Sequence, residues 1–197
     1  EAETRFRALV IANDGDHFGA GANIMLIYLA AQENKWDAIN QRIDALQKTL
    51  QTVYYSSVPV VAAPFSLTLG GGAEVAMAAS ARQAHAETYM GLVEVGVGLV
   101  PAGGGCLRMV RNFTDDAACV PGAPILPFIG AASLNIAMAK VSTGAPDAKS
   151  LRYLLPSDGI TLDRSHLIQD AKTRALAMAD SGYRPPMPTA IKAAGLD

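Results

Sequence analysis

Residues 67–80 read LTLGGGAEVAMAAS, where three consecutive glycines lead into an apolar segment with the periodicity of a helix. Glu74 is the only charged residue between Ser57 and Arg82. A buried carboxylate without a partner is strongly unfavourable, so its presence here calls for a chemical reason. The stretch predicts a glycine-rich turn that opens a buried helix carrying one functional glutamate.

The segments before this stretch predict an α/β fold. Residues 8–12 (ALVIA) and 58–63 (VPVVAA) are short apolar runs typical of buried parallel strands. Residues 17–25 (HFGAGANIM) predict a second glycine-rich turn and the start of a helix, and residues 36–55 have the apolar spacing of an amphipathic helix. Strand, glycine-rich turn and helix therefore occur twice in the same order.

The remaining sequence predicts fewer strands and more helix. Residues 81–91 are compatible with a short third strand, and residues 91–105 predict strand and loop before a helix near Leu107. Residues 129–144 and 162–182 predict helices, the second between an Asp163 N-cap and Gly182. We therefore predict three regions, namely a core at residues 1–130, a helical region at 131–184 and an extended tail or linker at 185–197.

Composition excludes several classes of function. With 16 Lys and Arg against 18 Asp and Glu, the net charge is -2, and no basic run favours nucleic acid as a partner. No apolar run approaches the roughly 20 residues of a membrane-spanning helix, and the first residues lack a signal peptide's apolar core, which predicts a cytoplasmic protein. Cys106 and Cys119 lack metal-binding or CxxC spacing, so we expect ordinary reduced thiols and no metal site.

The two glycine-rich turns are candidates for an oxyanion site. Glycine permits close approach of the backbone, and the first turn of a helix has amides without intrahelical acceptors. The alternative is that both are only tight strand-to-helix turns, and the sequence leaves both open. A dinucleotide site is disfavoured because Ile24 replaces the third glycine of GxGxxG and no acidic residue follows at the required distance. Walker A and GxSxG motifs are absent.

Glu94 is a second isolated carboxylate, the only charged side chain between Glu87 and Arg108. Two carboxylates in apolar surroundings would have raised pKa values and could exchange protons near neutral pH. Alternatively, Glu94 lies at a strand edge facing water. His17 borders the first glycine-rich turn, where a surface role is favoured, and His85 and His166 read as structural.

Three blocks, in order, resemble the crotonase or enoyl-CoA hydratase/isomerase superfamily. HFGAGANI is similar to the family's F-x-A-G-A-D-[IL] loop, LGGGAEVAMAAS to its L-G-G-G-x-E-L-A helix start, and GLVEVGVGLVPAGGG to its G-x-P-E-x-x-x-G-x-x-P-x-x-G-G segment. This resemblance extends from Phe6 to about Met109. The sequence beyond it resembles the crotonase-like part of bacterial multifunctional 3-hydroxyacyl-CoA dehydrogenases of fatty-acid β-oxidation, in which that part follows an NAD-binding dehydrogenase portion.

The resemblance implies an α/β fold with a ββα repeat spiral followed by C-terminal helices, the family's opening strands and helix lying outside this chain. It implies an oxyanion hole made by the backbone N–H groups of Ala22 and Gly71. It also implies that Glu74 activates water and Glu94 protonates C2 of a trans-2-enoyl-CoA. The further substrate-binding residues that it implies are Ala20, Gly21, Asn23, Ile24, Gly70 and Gly72.

The resemblance also bears on cofactors and partners. It implies an acyl-CoA thioester as the ligand and a homo-oligomer, a trimer or a dimer of trimers. It implies no cofactor in this domain, with NAD belonging to a dehydrogenase domain absent from this chain. The alternatives are an enoyl-CoA isomerase and a non-catalytic acyl-CoA-binding or oligomerisation domain. Asn23 stands where the family usually has Asp, Val93 where Pro is frequent, and Cys106 where Thr is common.

Overall fold

Two parallel sheets form the centre of the protein. The computed structural model describes residues 2–118 and 124–189. The first sheet has the strand order β1-β2-β4-β6, formed by Leu9–Ile11 (β1), Val60–Ala62 (β2), Ala81–His85 (β4) and Gly159–Thr161 (β6). The second sheet pairs Ser66–Leu69 (β3) with Thr88–Gly91 (β5). Neighbouring strands are parallel in both sheets, as the buried apolar runs predicted.

Helices cover these sheets. They are Ala2–Arg5 (α1), Ile24–Gln32 (α2), Trp36–Tyr54 (α3), Gly71–Ala78 (α4), Gly105–Ala118 (α5), Leu126–Ala137 (α6), Ala145–Ser150 (α7) and Leu167–Asp180 (α8), with 3₁₀ turns at Glu94–Val97 and Arg164–His166. Helix α8 packs on β1, β2 and β4, whereas α4 contacts α3, α5 and β3. The predicted helix at residues 36–55 is therefore confirmed, and α4 begins at the glycines of the opening stretch.

The chain alternates between the two sheets, which confirms the ββα repeat. β2 belongs to the first sheet, β3 to the second, and α4 follows; β4 and β5 repeat the same alternation. Pro64 lies where the chain leaves β2, and its carbonyl accepts hydrogen bonds from the amide of His85 at 2.9 Å and from Oγ1 of Thr88 at 3.1 Å. Proline has no N–H and ends a strand ladder, so it favours the switch between sheets.

Several elements differ from the sequence prediction. The helix predicted over residues 129–144 ends at Ala137, and residues 92–104 form a loop with a 3₁₀ turn where strand and loop were predicted. The single strand predicted within residues 81–91 is two strands, β4 and β5, in different sheets. β3, which precedes the glycines, was not predicted, because residues 66–69 are too few to show a period. β6 lies inside the region predicted to be helical and pairs with the edge of β4. Each short strand is specified by its pairing partner more than by its own sequence.

A buried ion pair fixes the far side of the first sheet. Nε of Arg82 donates to Oδ2 of Asp158 at 2.7 Å, and the amide of Arg82 donates to Oδ1 at 2.9 Å. The same carboxylate accepts the amide of Leu155 at 2.6 Å, so it joins β4 to the loop before β6. Because its charge is paired and hydrogen-bonded, this buried group fits a structural role.

The end of the chain is only partly described. Residues 183–189 have no regular secondary structure, and the hydroxyl of Tyr183 lies 2.8 Å from Oγ of Ser80. Cys119 and residues 190–197 of the predicted tail lie outside the described residues. None of the described helices combines the length and apolar character that crossing a membrane requires.

Candidate active site

The two glycine-rich turns meet at the second sheet. The amide of Leu69 donates to the carbonyl of Gly19 at 2.8 Å, and the amide of Gly19 donates to the carbonyl of Leu67 at 3.2 Å, so the first turn lies alongside β3. Gly72, in the first turn of α4, packs directly on Gly19: a Cβ atom there would lie 2.5 Å from the Gly19 oxygen. Glycine is therefore required at position 72 for the two turns to touch.

Two backbone amides are adjacent at this contact. Gly70 has a φ of +54° and Gly21 a φ of +94°, conformations that favour glycine. A Cβ atom on Gly71 would lie 4.0 Å from the nitrogen of Ala22, and one on Gly21 would lie 3.9 Å from the nitrogen of Gly71. Among the described residues, no hydrogen bond uses the amide of Ala22 or Gly71. These two amides are free to bind one oxyanion, as oxyanion holes do.

Asn23 holds the first turn against α2. Its side-chain oxygen accepts the amide of Met25 at 3.1 Å, which makes it the N-cap of the helix. Asparagine and aspartate cap helices comparably, so the loop keeps its cap although Asp is usual in the resembling family. Residues 20–24, including the predicted ligand-binding Ala20 and Ile24, are exposed and accessible to a ligand.

Glu74 lies one helical turn after Gly70 and is buried, with 3% of its surface exposed. The amide of Glu74 donates to the Gly70 carbonyl at 3.0 Å, and its Oε1 accepts the amide of Gly105 at 2.8 Å. Burial raises the pKa of the Glu74 carboxyl, while hydrogen bonds from the amides of residues 103–105 oppose this rise. The carboxyl is therefore held in place in a setting that favours its protonated form.

Glu94 approaches the same turn from the 3₁₀ turn after β5. Its Oε1 would lie 3.1 Å from a Cβ atom on Gly70, which places the carboxyl beside the start of α4. Oε2 is buried and has no hydrogen-bond partner among the described residues. Burial raises the pKa of Glu94, and the charge of Glu74 raises it further. The charge of Glu74 therefore reaches Glu94, and both glutamates lie in the same region, Glu94 beside the start of α4 and Glu74 one turn into it.

Comparison with known proteins decides the family. A family model described as enoyl-CoA hydratase/isomerase matches residues 1–119, more than half of the chain. The chain belongs to the enoyl-CoA hydratase/isomerase family. Among curated proteins, it is 40% identical over 195 residues to one named "Probable 3-hydroxyacyl-CoA dehydrogenase" in Bacillus subtilis. It is 34% identical over 114 residues to the fatty acid oxidation complex subunit alpha of Shewanella frigidimarina.

These relatives are much longer than this member of the family. The match covers 99% of this chain but 24% of the Bacillus relative, and 56% of this chain but 16% of the Shewanella subunit. Solved structures confirm the fold: an enoyl-CoA hydratase from Polaromonas aligns with a TM-score of 0.73 at 21% identity, over 90% of this chain and 62% of that one. An enoyl-CoA hydratase from Bacillus anthracis aligns with a TM-score of 0.69 at 23% identity, over 88% of this chain and 59% of that one.

Three further residues, which the sequence prediction did not assign to the site, lie near Glu74 or Glu94. Burial raises the pKa of the Cys106 thiol, and the nearby charges of Glu74 and Glu94 raise it further. Burial also raises the pKa of Tyr153 to about 12, with a contribution from Glu94. Arg108 shares a pocket with Glu74. The sequence around these residues does not indicate that they lie near the two glutamates. Tyr153 belongs to a distant segment, and Arg108 has no feature that distinguishes it from other charged residues of a helix.

The remaining candidates are His17, a metal site and a second pocket. His17 is exposed, with Nδ1 2.9 Å from Oγ of Ser66, in agreement with the predicted surface role. No group of three or more His, Cys, Asp or Glu side chains suited to a metal ion occurs in the part of the chain that the structure describes. A pocket of about 460 Å³ between Asn13, Phe65 and Arg164 contains none of the predicted site residues.

Proposed function

We propose that this site adds water across the double bond of a trans-2-enoyl-CoA. The observation that carries the proposal is the convergence of two free amides, those of Ala22 and Gly71, with two carboxyl groups whose pKa values are raised. Neither feature alone is specific for a reaction. Together they provide an oxyanion site next to two groups that can exchange protons.

The amides would act on the thioester oxygen. When water adds to C3, negative charge moves from the double bond onto this oxygen and an enolate forms. Two N–H groups directed at that position stabilise the enolate more than the neutral thioester, which lowers the barrier. Removal of one such donor typically slows an enzyme by about 10²–10³-fold, so this interaction would be the largest single contribution of the site.

The carboxyl groups would move the protons. Glu74, as carboxylate, accepts a proton from the water whose oxygen bonds to C3, and Glu94, as carboxylic acid, gives its proton to C2 of the enolate. The product gains one hydrogen at C2 and one hydroxyl at C3, and no oxidation state of the protein changes. One ionised and one protonated glutamate are needed at the start, and the charge of Glu74 favours the protonated form of Glu94.

Two alternatives give different results in the same assay. An isomerase that shuttles one proton needs one carboxyl group, and it would convert a 3-enoyl-CoA to the 2-enoyl isomer. A non-catalytic domain would bind acyl-CoA without turnover. Retention of both Glu74 and Glu94 in one site favours hydration over isomerisation.

The test is to mix the full-length protein with crotonyl-CoA and follow the absorbance of the 2-enoyl thioester. We expect the absorbance to fall as the double bond is hydrated. No loss above background, with binding intact, would overturn the hydratase proposal and favour the non-catalytic domain. Activity only on a 3-enoyl-CoA would favour the isomerase.

Two conservative variants test the roles of the carboxyl groups. Glu74→Gln and Glu94→Gln keep the shape of each side chain but remove proton transfer, so each should lower kcat by about 10²–10⁴-fold, the usual contribution of general acid–base catalysis. Binding of an acyl-CoA product should change little. A variant that keeps the full rate would remove that residue from the mechanism.

The proposal extends to partners. An acyl-CoA thioester is the ligand, bound at Ala22 and Gly71 and at the exposed loop of residues 20–24. Hydration changes no oxidation state, so this site would need no redox cofactor, and NAD would serve a dehydrogenase portion like that named in the Bacillus relative. We also propose a homo-oligomer, supported by the exposed apolar side chains of α2 and α6. The cytoplasmic location stays a prediction from composition.

A further inference from the structure

A pocket behind Glu74 is not used by the reaction described above. Its volume is about 220 Å³, and it lies between α3, α4 and the start of α5. Gln47 and Gln51 of α3 are exposed and form its mouth, whereas Glu74 and Arg108 are buried and form its floor. We call this cavity the rear pocket. It connects solvent to a buried catalytic carboxyl.

The lining of the rear pocket differs from the groups proposed to contact the thioester. None of the residues that line it is Ala22, Gly71 or Glu94. Glu74 is common to both, because its helix begins at Gly71 and its side chain lines the rear pocket. A thioester that contacts only those groups would not occupy the rear pocket.

Arg108 gives the rear pocket a polar floor in which one nitrogen atom lacks a hydrogen-bond partner among the described residues. The side chain is only 7% exposed, and its Nη1 atom is buried without a hydrogen-bond partner among the described residues. Its guanidinium carbon lies 3.3 Å from the ring centre of Tyr54, so the group is held in place by stacking. A buried guanidinium N–H without a partner is costly, and water in an adjoining polar cavity commonly satisfies such a group.

We propose that the rear pocket holds a chain of water molecules, anchored by Arg108, that carries protons between Glu74 and solvent. This inference rests on the proposed hydration. After each turnover, Glu74 has gained a proton and Glu94 has lost one, so both must be reset before the next substrate reacts. A route through the rear pocket lets the proton of Glu74 leave to solvent, and Glu94 regains one proton from solvent once the product has left, so the two transfers cancel. Arg108 is a positioning residue in this scheme and touches no substrate atom.

The first test is a crystal structure of the full-length protein with an acyl-CoA product bound. We expect ordered water within hydrogen-bond distance of Nη1 of Arg108 and continuing toward Glu74. A rear pocket that is dry, or filled by a side chain or by the acyl chain, would overturn the proposal.

The second test uses a substitution that blocks the mouth of the rear pocket. Gln51→Trp places a large ring over the rear pocket, and Gln41→Trp places the same residue at another exposed position of α3, outside the pocket lining. We expect Gln51→Trp to lower kcat by about tenfold, less than loss of the carboxyl itself, with an unchanged KM. Its solvent deuterium isotope effect on kcat should rise, because proton release becomes rate-limiting.

Arg108→Met gives an independent variant, because it keeps the length of the side chain and removes the N–H groups. We expect the same rise in the isotope effect, which a purely structural role of Arg108 would not cause. A wild-type protein without hydratase activity would overturn the proposed function. An active wild type whose Gln51→Trp and Arg108→Met variants keep its kcat and isotope effect would overturn only the rear-pocket route.

Discussion

At the scale of single residues, Glu74 shows a conflict between stability and chemistry. Its carboxyl is buried and receives amide hydrogen bonds that only partly offset the loss of hydration. A core position of α4 would be more stable with a neutral side chain. Such a residue is typical of functional sites, where groups needed for catalysis reduce the stability of the fold.

This conflict predicts a pH-dependent gain in stability for Glu74→Gln. In the unfolded chain, a glutamate ionises near pH 4.3, whereas burial raises the pKa of Glu74 in the folded protein. At a pH below the pKa of the glutamate in the unfolded chain, the carboxyl is neutral in both states, so its ionisation does not affect the free energy of unfolding. As the pH rises above it, the unfolded state gains more from ionisation, so the wild type loses stability. A glutamine side chain does not titrate, so the variant should gain stability relative to the wild type between pH 4 and pH 7.

Urea unfolding at pH 4 and pH 7 measures this effect. Glu87→Gln, at an exposed position, is the matched control for removing one negative charge. We expect the urea midpoint of Glu87→Gln to differ little from that of the wild type at either pH. The prediction is contradicted if Glu74→Gln is less stable than the wild type at pH 7.

Gly72 is a position at which a single methyl group should disturb the proposed oxyanion site. In Gly72→Ala the Cβ atom would meet the Gly19 carbonyl oxygen at 2.5 Å and its carbon at 2.8 Å, and both are backbone atoms that cannot rotate away. The two turns must separate, which should cost about 1–3 kcal/mol of stability, as overpacking does. Because the amides of Ala22 and Gly71 separate with them, kcat should fall by about 10²-fold.

Gly96→Ala is the control for this substitution. Gly96 lies in the 3₁₀ turn after Glu94, and a Cβ atom there would meet nothing within 4 Å. Its kcat and urea midpoint should stay close to those of the wild type. A Gly72→Ala protein with the wild-type kcat would show that contact between the two turns is not needed.

At the scale of elements, the long amphipathic helix α3 and the longer apolar runs were predictable, whereas β3, β5 and β6 were not predicted as separate strands. Helix α3 has an amphipathic period over 19 residues, and β2 is a continuous buried run. In contrast, β3 has four residues and begins with Ser66 at a φ of +49°, and β6 has three residues. Their identity depends on parallel pairing with β5 and β4, and such long-range pairing leaves no local pattern.

Helix α2 depends on its cap more than on packing. None of its residues is buried, and Asn23 accepts the Met25 amide at its start. Asn23→Ala should therefore destabilise the helix by about 1 kcal/mol, whereas Asn23→Asp should retain the cap and add a favourable charge at the N-terminus. Hydrogen exchange of the α2 amides measures this: it should be faster in Asn23→Ala and no faster in Asn23→Asp.

The same pair of variants tests how the cap supports the site. Ala22 immediately precedes the cap, so fraying of α2 should displace its amide. In Asn23→Ala we therefore expect a higher KM for an acyl-CoA, while the urea midpoint of the whole protein changes little. Equal exchange rates in the alanine variant and the wild type would show that the cap does not limit the order of α2.

At the scale of the whole molecule, the proposed site and the rear pocket draw on several separate segments. The first turn carries Ala22, the start of α4 carries Gly71 and Glu74, the 3₁₀ turn carries Glu94, and α5 carries Arg108. The sequence prediction named residues of the first three segments because glycine clusters and isolated charges stand out against apolar surroundings. Arg108 was not predicted to be part of the site, since charged residues are common on helices and only the packing of α5 against α4 reveals its position.

The surface of the whole molecule predicts association. Leu126, Leu134 and Met138 of α6 and its C-cap are 65%, 54% and 64% exposed, and their spacing of eight and four residues places them along one side of the helix. Apolar side chains grouped on one exposed face commonly form an interface. We expect the chain to form concentration-dependent oligomers through this face, in line with the proposed homo-oligomer.

Leu134→Lys tests the role of α6, because a charge at the centre of an apolar interface opposes its burial. The mass measured by light scattering during size-exclusion chromatography should fall toward that of one chain, and the circular dichroism spectrum should stay unchanged. Gln169→Lys, at an exposed position of α8, introduces the same charge outside this face and should leave the mass unchanged. A wild-type chain that is monomeric at every concentration would contradict the prediction, and an oligomer that survives Leu134→Lys would assign association to another surface.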